Sequence, residues 1–129
     1  MTKGYQANKE RLAMISSYGK AIGKRAGFKC EWCESKDELQ VWDYKPEAPP
    51  DMETLALLCR QCRSWADGRK AATPHELRSI RNAIWSDIPS VAEGAAKILA
   101  QCKEPWAREA IEESFIDSAI KTELLRDKR

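Results

Sequence analysis

Apolar residues recur at helical spacing in the first segment of the chain, residues 8–26. They fall three or four positions apart, which places them on one face of a helix. These positions are Leu12, Ile15, Tyr18 and Ile22. Gly27 follows directly, and glycine is frequent just past the end of a helix. The pattern therefore predicts an N-terminal helix that ends at Gly27.

The pattern becomes strand-like after Cys33. Residues 39–44 alternate between apolar and polar side chains, as a half-buried strand does. Three prolines within residues 46–50 then impose a loop, and residues 54–58 form a short apolar run. Together these segments predict a small, hairpin-like β element.

The remainder of the chain is predicted to be helical. Thr73–Glu76 and Ser90–Glu93 both match the capping box, in which the first side chain accepts a hydrogen bond from the fourth backbone N–H. Further helices are predicted to begin at Pro105 and in the last amphipathic segment. The apolar stripes are Leu77, Ile80, Ile84 and Trp85; Val91, Ala95, Ile98 and Leu99; Trp106, Ala110 and Ile111; and Ile116, Ile120 and Leu124. We expect these stripes to form a core, with a groove for a partner as the alternative.

Four of the five cysteines form two Cys-x-x-Cys pairs, separated by 25 residues. The pairs are Cys30 with Cys33 and Cys59 with Cys62. Zn²⁺ takes four thiolates in a tetrahedron, and two such turns supply them, so the spacing predicts a closed, structural Zn²⁺ site. A redox motif and buried free thiols are the alternatives. Cys102 lies in an apolar helical pattern and is predicted to be a core residue.

These elements together predict an α+β fold. A small four-cysteine zinc-binding β element would be flanked by an N-terminal helix and by a C-terminal bundle of three to four helices. We divide the chain into a basic N-terminal helix (residues 1–27), a zinc module (28–71) and a helical region (72–129). Trp32 and Trp65 flank cysteines, and we expect them to cover the metal cluster.

Charge is distributed unevenly, although the net charge is only +2. Basic segments lie on both sides of an acidic stretch, residues 31–59, which contains Cys33 and Cys59. Such a pattern is typical of a phosphate-binding surface, although the basic and acidic segments could instead pair with each other. The predicted nucleic-acid contacts are Lys20, Lys24, Arg25, Lys29, Arg60, Arg63, Arg69 and Lys70.

The chain contains no run of about 18 apolar residues, so we predict no membrane span. Residues 1–6 lack the apolar region of a signal peptide. We therefore expect a cytoplasmic protein. The sequence leaves the oligomeric state open.

Two resemblances follow from these motifs. A Cys-x-x-Cys, a strand, a loop and a Leu-Cys-x-x-Cys resemble the zinc-stapled HNH nuclease or treble-clef fold. In that family an Asp-His pair lies on the strand. Here Asp43 keeps the first position, Tyr44 replaces the histidine, and Arg63 follows the last cysteine. Neutral tyrosine is a poor general base at pH 7, so the departure argues against hydrolysis.

The second resemblance covers most of the chain. It is similar to the PhnA-type zinc-ribbon family, named for an alkylphosphonate-utilisation operon. The matching segments are residues 29–33, residues 58–62, the Trp-Ser-x-x-Pro-x-Val string of residues 85–91, and residues 106–108. The resemblance implies a zinc-binding ribbon with a helical companion and supplies no catalytic residues.

Three functions are compatible with the sequence. The first is a non-enzymatic zinc-binding protein that contacts nucleic acid or a nucleic-acid-handling complex, and this is the function that we predict. The second is a protein–protein adaptor or regulatory protein that uses the helical region with Trp85 and Trp106. The third is a divergent HNH-type hydrolase, for which the sequence offers neither a general base nor an open metal position.

Overall fold

The computed structural model describes residues 2–102 and 104–126. Over this part the chain forms six α-helices, one two-stranded sheet and one 3₁₀ segment, Arg78–Trp85, which lies between α3 and α4. The elements are α1 (Thr2–Arg25), β1 (Gln40–Asp43), β2 (Leu55–Leu58), α2 (Arg60–Ala66), α3 (Pro74–Leu77), α4 (Pro89–Leu99), α5 (Pro105–Glu113) and α6 (Ser118–Leu125). The predicted α+β class is confirmed. None of the described helices combines the length and the apolar character needed to cross a bilayer.

The first helix is longer than predicted and ends as predicted. It begins at Thr2 and not at residue 8. At its other end, Gly27 adopts a positive φ of 64°, and its N–H donates to the carbonyl of Lys24. The N–H of Phe28 donates to the carbonyl of Gly23 at 2.8 Å. This pair of bonds is a Schellman motif, which turns the chain sharply towards the first cysteine pair.

The two strands pair in antiparallel register, with Gln40 opposite Leu58 and Asp43 opposite Leu55. All four residues of β2 are buried, whereas β1 is partly exposed. Helix α1 covers the hairpin, and Ile22 packs with Leu55 and Leu57 in a small apolar cluster. The hairpin thus lies between α1 and the rest of the molecule.

A second, larger core joins the cysteines to the C-terminal helices. It contains the buried cysteines, the rings of Trp32 and Trp65, and the buried aliphatic residues of the 3₁₀ segment, α4 and α5. Cys102 belongs to it, which confirms its predicted core position. One continuous core therefore crosses the predicted boundary between residues 71 and 72. The three-part division itself stays a prediction.

The two predicted capping boxes have different outcomes. At Thr73 both bonds form, because the hydroxyl accepts from Glu76 N–H and the Glu76 carboxylate accepts from Thr73 N–H. At Ser90 the prediction is wrong. Helix α4 begins at Pro89, so its N-cap is Ile88 and not Ser90, and the Ser90 hydroxyl donates to the carbonyl of Leu55 at 2.7 Å. A buried acceptor from another element therefore replaces the local cap.

Candidate metal centre

Four thiol groups converge where the first cysteine pair meets the start of α2. The Sγ atoms of Cys30, Cys33, Cys59 and Cys62 all lie within 4.8 Å of one another. The Sγ atoms of Cys33 and Cys59 are 3.5 Å apart. Four thiolates bound to zinc at about 2.3 Å would place their sulfur atoms about 3.8 Å apart. The four cysteines therefore have the dimensions of a tetrahedral metal site.

Backbone hydrogen bonds preorganise both cysteine pairs. In the first pair, Cys30 N–H donates to Ser35 carbonyl and Glu34 N–H donates to Cys30 carbonyl, so the chain folds into a tight turn. In the second pair, Cys59 is the N-cap of α2, and its Sγ accepts from the backbone N–H of Cys62 at 3.5 Å. These bonds fix the backbone of both pairs in the conformation that brings the four sulfur atoms together.

The cluster is shielded from solvent. Cys30, Cys59 and Cys62 are buried and Cys33 is half-buried. The rings of Trp32 and Trp65 are also buried, at 2% and 4% exposure, and belong to the same core as the cysteines. Because the protein supplies four ligands, a tetrahedral metal ion bound here would be fully coordinated by protein. Such a site suits a structural metal.

The thiols interact strongly with one another. Hydrogen bonds from Cys33 and Cys62 lower the pKa of Cys30 to about 2. The hydrogen bond with Cys30 raises the pKa of Cys33 to about 12. Hydrogen bonds with Cys30 and Cys33 likewise raise the pKa of Cys62. One thiolate therefore forms readily, and further deprotonation is opposed by the charge already present. A divalent cation would supply the opposing charge that four thiolates need.

The positions that correspond to the HNH strand pair make internal contacts. Asp43 Oδ2 accepts two hydrogen bonds from Arg11, at 2.7 and 2.9 Å. The Tyr44 hydroxyl donates to Glu93 Oε1 at 3.0 Å. Burial raises the pKa of Tyr44, and the Glu93 charge raises it further. Tyr44 is thus held neutral, and the only histidine of the sequence, His75, lies exposed on α3.

The predicted nucleic-acid contacts divide into two groups. Six of them are exposed: Lys20, Lys24, Lys29, Arg60, Arg69 and Lys70. The other two are partly buried and bonded within the chain. Arg25 pairs with Glu31 at 2.7 Å, and Arg63 donates to Gln40 Oε1 and to the carbonyls of Glu38 and Leu58. Of the eight predicted contacts, six are therefore accessible at the surface and two are engaged within the fold.

Glu31 is a structural residue that the sequence analysis did not single out. It lies between the first two cysteines, and its side chain is only 7% exposed. Its Oε1 accepts from Arg25 and from the backbone N–H of Leu57. Arg25 also donates to the carbonyls of Met52 and Leu55. The backbone partners lie 26 to 30 residues away in sequence from the side chains that they bond, so the local motif gave no signal for them.

Comparison with known proteins finds no matching family model, no matching curated protein and no matching solved structure. The resemblances to the PhnA-type and HNH families therefore stay predictions.

Proposed function

We propose that this chain is a non-catalytic zinc protein in which the metal holds the β hairpin, α2 and the first cysteine pair together. The observation that carries the proposal is the convergence of four Sγ atoms within 4.8 Å. An all-sulfur tetrahedral set favours Zn²⁺ over the hard cations, which prefer oxygen ligands. The first Cys-x-x-Cys turn supplies two of the four sulfur ligands. The second pair, at the start of α2, supplies the other two.

Metal analysis of the purified protein tests this proposal. We expect one zinc ion per chain, and Co²⁺ substitution should give the visible absorption bands of a tetrahedral thiolate site. Cys33→Ser should weaken metal binding strongly, while Cys102→Ala, which lies outside the cluster, should keep one metal per chain. Equal metal content in both variants would contradict the four-cysteine site.

We further propose that the exposed cations contact nucleic-acid phosphates. Lys20 and Lys24 are four residues apart on α1 and therefore share one helix face, and Lys29 follows the end of that helix. Arg60 and Lys70 line a cleft of about 380 Å³ elsewhere on the surface. Arg60 is less available to a phosphate than the lysines, because the carboxylates of Asp37 and Glu38 lie 3.9 and 3.5 Å from its guanidinium. The lysines of the α1 region are therefore the stronger candidates.

Salt-dependent binding to short single- and double-stranded DNA and RNA tests this second proposal. Replacing Lys20, Lys24 and Lys29 by glutamine should reduce affinity and lower the slope of log K against log salt by about 2–3. Lys36→Gln with Arg81→Gln, two exposed cations outside the predicted set, is the control. Absence of binding at low salt would reject nucleic-acid contact and leave the zinc proposal intact.

A specific observation favours the protein adaptor as the alternative. Phe115 is 85% exposed, and its ring packs edge-on against Trp85 with centroids 5.6 Å apart. An exposed phenylalanine beside a half-buried tryptophan is typical of a protein-binding surface. Salt-insensitive capture of a partner that is lost in Phe115→Ala would favour this function.

A further inference from the structure

An open cleft of about 520 Å³ lies beside the first cysteine pair. Its lining combines residues of the 25–34 segment, where α1 ends and the cysteine turn begins, with residues of the 79–91 segment, which includes most of the 3₁₀ segment. Small-ligand sites have volumes of about 300–1,000 Å³, so the cleft is large enough for one. We call it the Trp85 cleft, after the half-buried tryptophan of its lining.

Trp85 gives the cleft an aromatic surface. The residue is half-buried, whereas Trp32, the other tryptophan of the lining, is only 2% exposed. Aromatic side chains that are partly open to solvent are the surfaces on which unpaired nucleic-acid bases stack. The cleft therefore contains one residue suited to hold the flat face of a base.

Asn82 adds free hydrogen-bonding groups to the same lining. It is exposed, and its side-chain amide makes no hydrogen bond to another described residue. The hydroxyls of the lining are already used, because Ser79 donates to the Glu76 carbonyl at 2.7 Å and Ser86 accepts from the Ile88 N–H at 3.1 Å. A side-chain amide carries two donors and one acceptor, which match the donors and acceptors on the edge of a base.

The charges of the lining favour a neutral group inside the cleft and phosphate at its rim. Arg25 and Glu31 neutralise each other in an ion pair of 2.7 Å. The other two charged residues, Lys29 and Glu34, are exposed and of opposite sign. A phosphate inside the cleft would meet the Glu34 carboxylate, whereas an uncharged base would not. Lys29 belongs to the same basic region as the lysines of α1, which offers phosphate contacts outside the cleft.

We propose that the Trp85 cleft holds one unpaired base of a single-stranded nucleic acid. The base stacks on Trp85 and bonds to Asn82, while the phosphates of the strand contact Lys29 and the lysines of α1. The inference rests on the proposed nucleic-acid contact of these lysines and adds the class of nucleic acid that is bound. A base within a duplex is already stacked and paired, so the cleft selects single strands.

Three ligands test the inference on the zinc-loaded protein: a short single strand of mixed sequence, a strand of the same length whose sugars carry no bases, and a duplex of the same sequence. The single strand should bind roughly five- to hundredfold more tightly than the strand without bases, which is the effect of stacking one base. It should also bind more tightly than the duplex. A surface that contacts phosphates alone would prefer the duplex, because its charge density is higher.

Variants of the lining identify the residues that hold the base. Trp85→Leu should remove the advantage of the single strand over the strand without bases and leave the slope of log K against log salt unchanged, because no phosphate contact is lost. Trp106→Leu, at a half-buried tryptophan outside the lining, is the matched control and should keep the advantage. Asn82→Ala alters an exposed residue, so the variant should fold even if Trp85→Leu does not, and it should weaken single-strand binding by roughly two- to tenfold.

The outcomes separate this inference from the function on which it rests. If none of the three ligands binds at low salt, the proposed nucleic-acid contact fails and the inference fails with it. If the strands with and without bases bind equally, or the duplex binds best, while the α1 lysine variants still weaken binding, nucleic-acid contact stands and the inference is overturned. Unchanged single-strand binding in Asn82→Ala and in folded Trp85→Leu would also overturn it.

Discussion

Gly94 lies on α4 where two tryptophan rings approach the helix closely. A Cβ atom at this position would lie 2.9 Å from the ring of Trp32 and 3.0 Å from that of Trp42. The two rings pack edge-to-face, with centroids 5.2 Å apart, so they cannot move independently. The absence of a side chain at Gly94 is therefore what allows α4 to pack against the hairpin and the first cysteine pair.

We expect Gly94→Ala to destabilise the protein. Overpacking costs about 1–3 kcal/mol, and the better helix propensity of alanine returns about 1 kcal/mol. Gly19→Ala is the matched control, because nothing lies within 4 Å of a Cβ there, and it should stabilise α1 by about 0.5–1 kcal/mol. Denaturant unfolding measures both variants. Equal shifts would mean that the rings yield to the added methyl group.

The half-buried side chain of Tyr44 makes the stability of the protein depend on pH in the alkaline range. Burial, with the charge of Glu93, raises its pKa in the folded protein, whereas an unfolded tyrosine titrates near pH 10. The contribution of Tyr44 is therefore complete below about pH 10 and is lost as the pH rises above that value. Tyr44→Phe should cost about 1 kcal/mol at pH 7, and this difference should shrink between about pH 10 and pH 11. Urea unfolding across this range measures it, and a constant difference would contradict the argument.

At the scale of elements, α1 is joined to the hairpin by a partly buried ion pair as well as by apolar contacts. Arg25, at the last turn of α1, reaches Glu31 and two carbonyls of the β2 region. Its side chain is 18% exposed, and that of Glu31 is 7% exposed. The Arg25 contacts therefore connect the helix, the first cysteine pair and β2 at one point.

Removal of Arg25 should loosen all three elements. Arg25→Met leaves Glu31 buried without its partner, and we expect a loss of about 3 kcal/mol. The control is Arg60→Met, since Arg60 is 68% exposed, and its loss should change stability by less than about 0.5 kcal/mol. Thermal unfolding with metal bound compares them. If Arg25→Met were as mild as Arg60→Met, the ion pair would not hold α1 in place.

The same elements show what the sequence could and could not predict. Two predictions from local sequence patterns are confirmed. The cysteine spacing predicted that four thiols would lie together, and Thr73 forms the predicted capping box. The identical signal failed at Ser90, because its hydroxyl bonds to Leu55, 35 positions away. Arg25 looked like a surface cation because its carboxylate and carbonyl partners become neighbours only after folding. Local patterns thus predicted most of the elements but not α2, and polar contacts over long sequence separations decided the roles of individual side chains.

At the scale of the whole molecule, the cysteine cluster and the C-terminal helices are parts of one core. Structural zinc in small domains contributes about 10–16 kcal/mol of apparent free energy, comparable to the total stability of a domain. Removal of the metal by a chelator, or Cys30→Ser or Cys59→Ser, should therefore unfold the C-terminal helices as well. Circular dichroism should show one transition with loss of most helical signal. Helical signal that survives chelation would show that the helices fold without the metal.

The contacts around β2 also bear on self-association. A strand with unpaired main-chain groups is a template for pairing with a second chain, which leads to aggregation. On the side of β2 that faces away from β1, Leu57 bonds through both its N–H and its carbonyl to Glu31, and the Leu55 carbonyl accepts from Arg25 and Ser90. The folded chain thus blocks this edge with its own residues. We expect loss of Arg25 or of the metal to expose the edge and to make the protein prone to form intermolecular sheets.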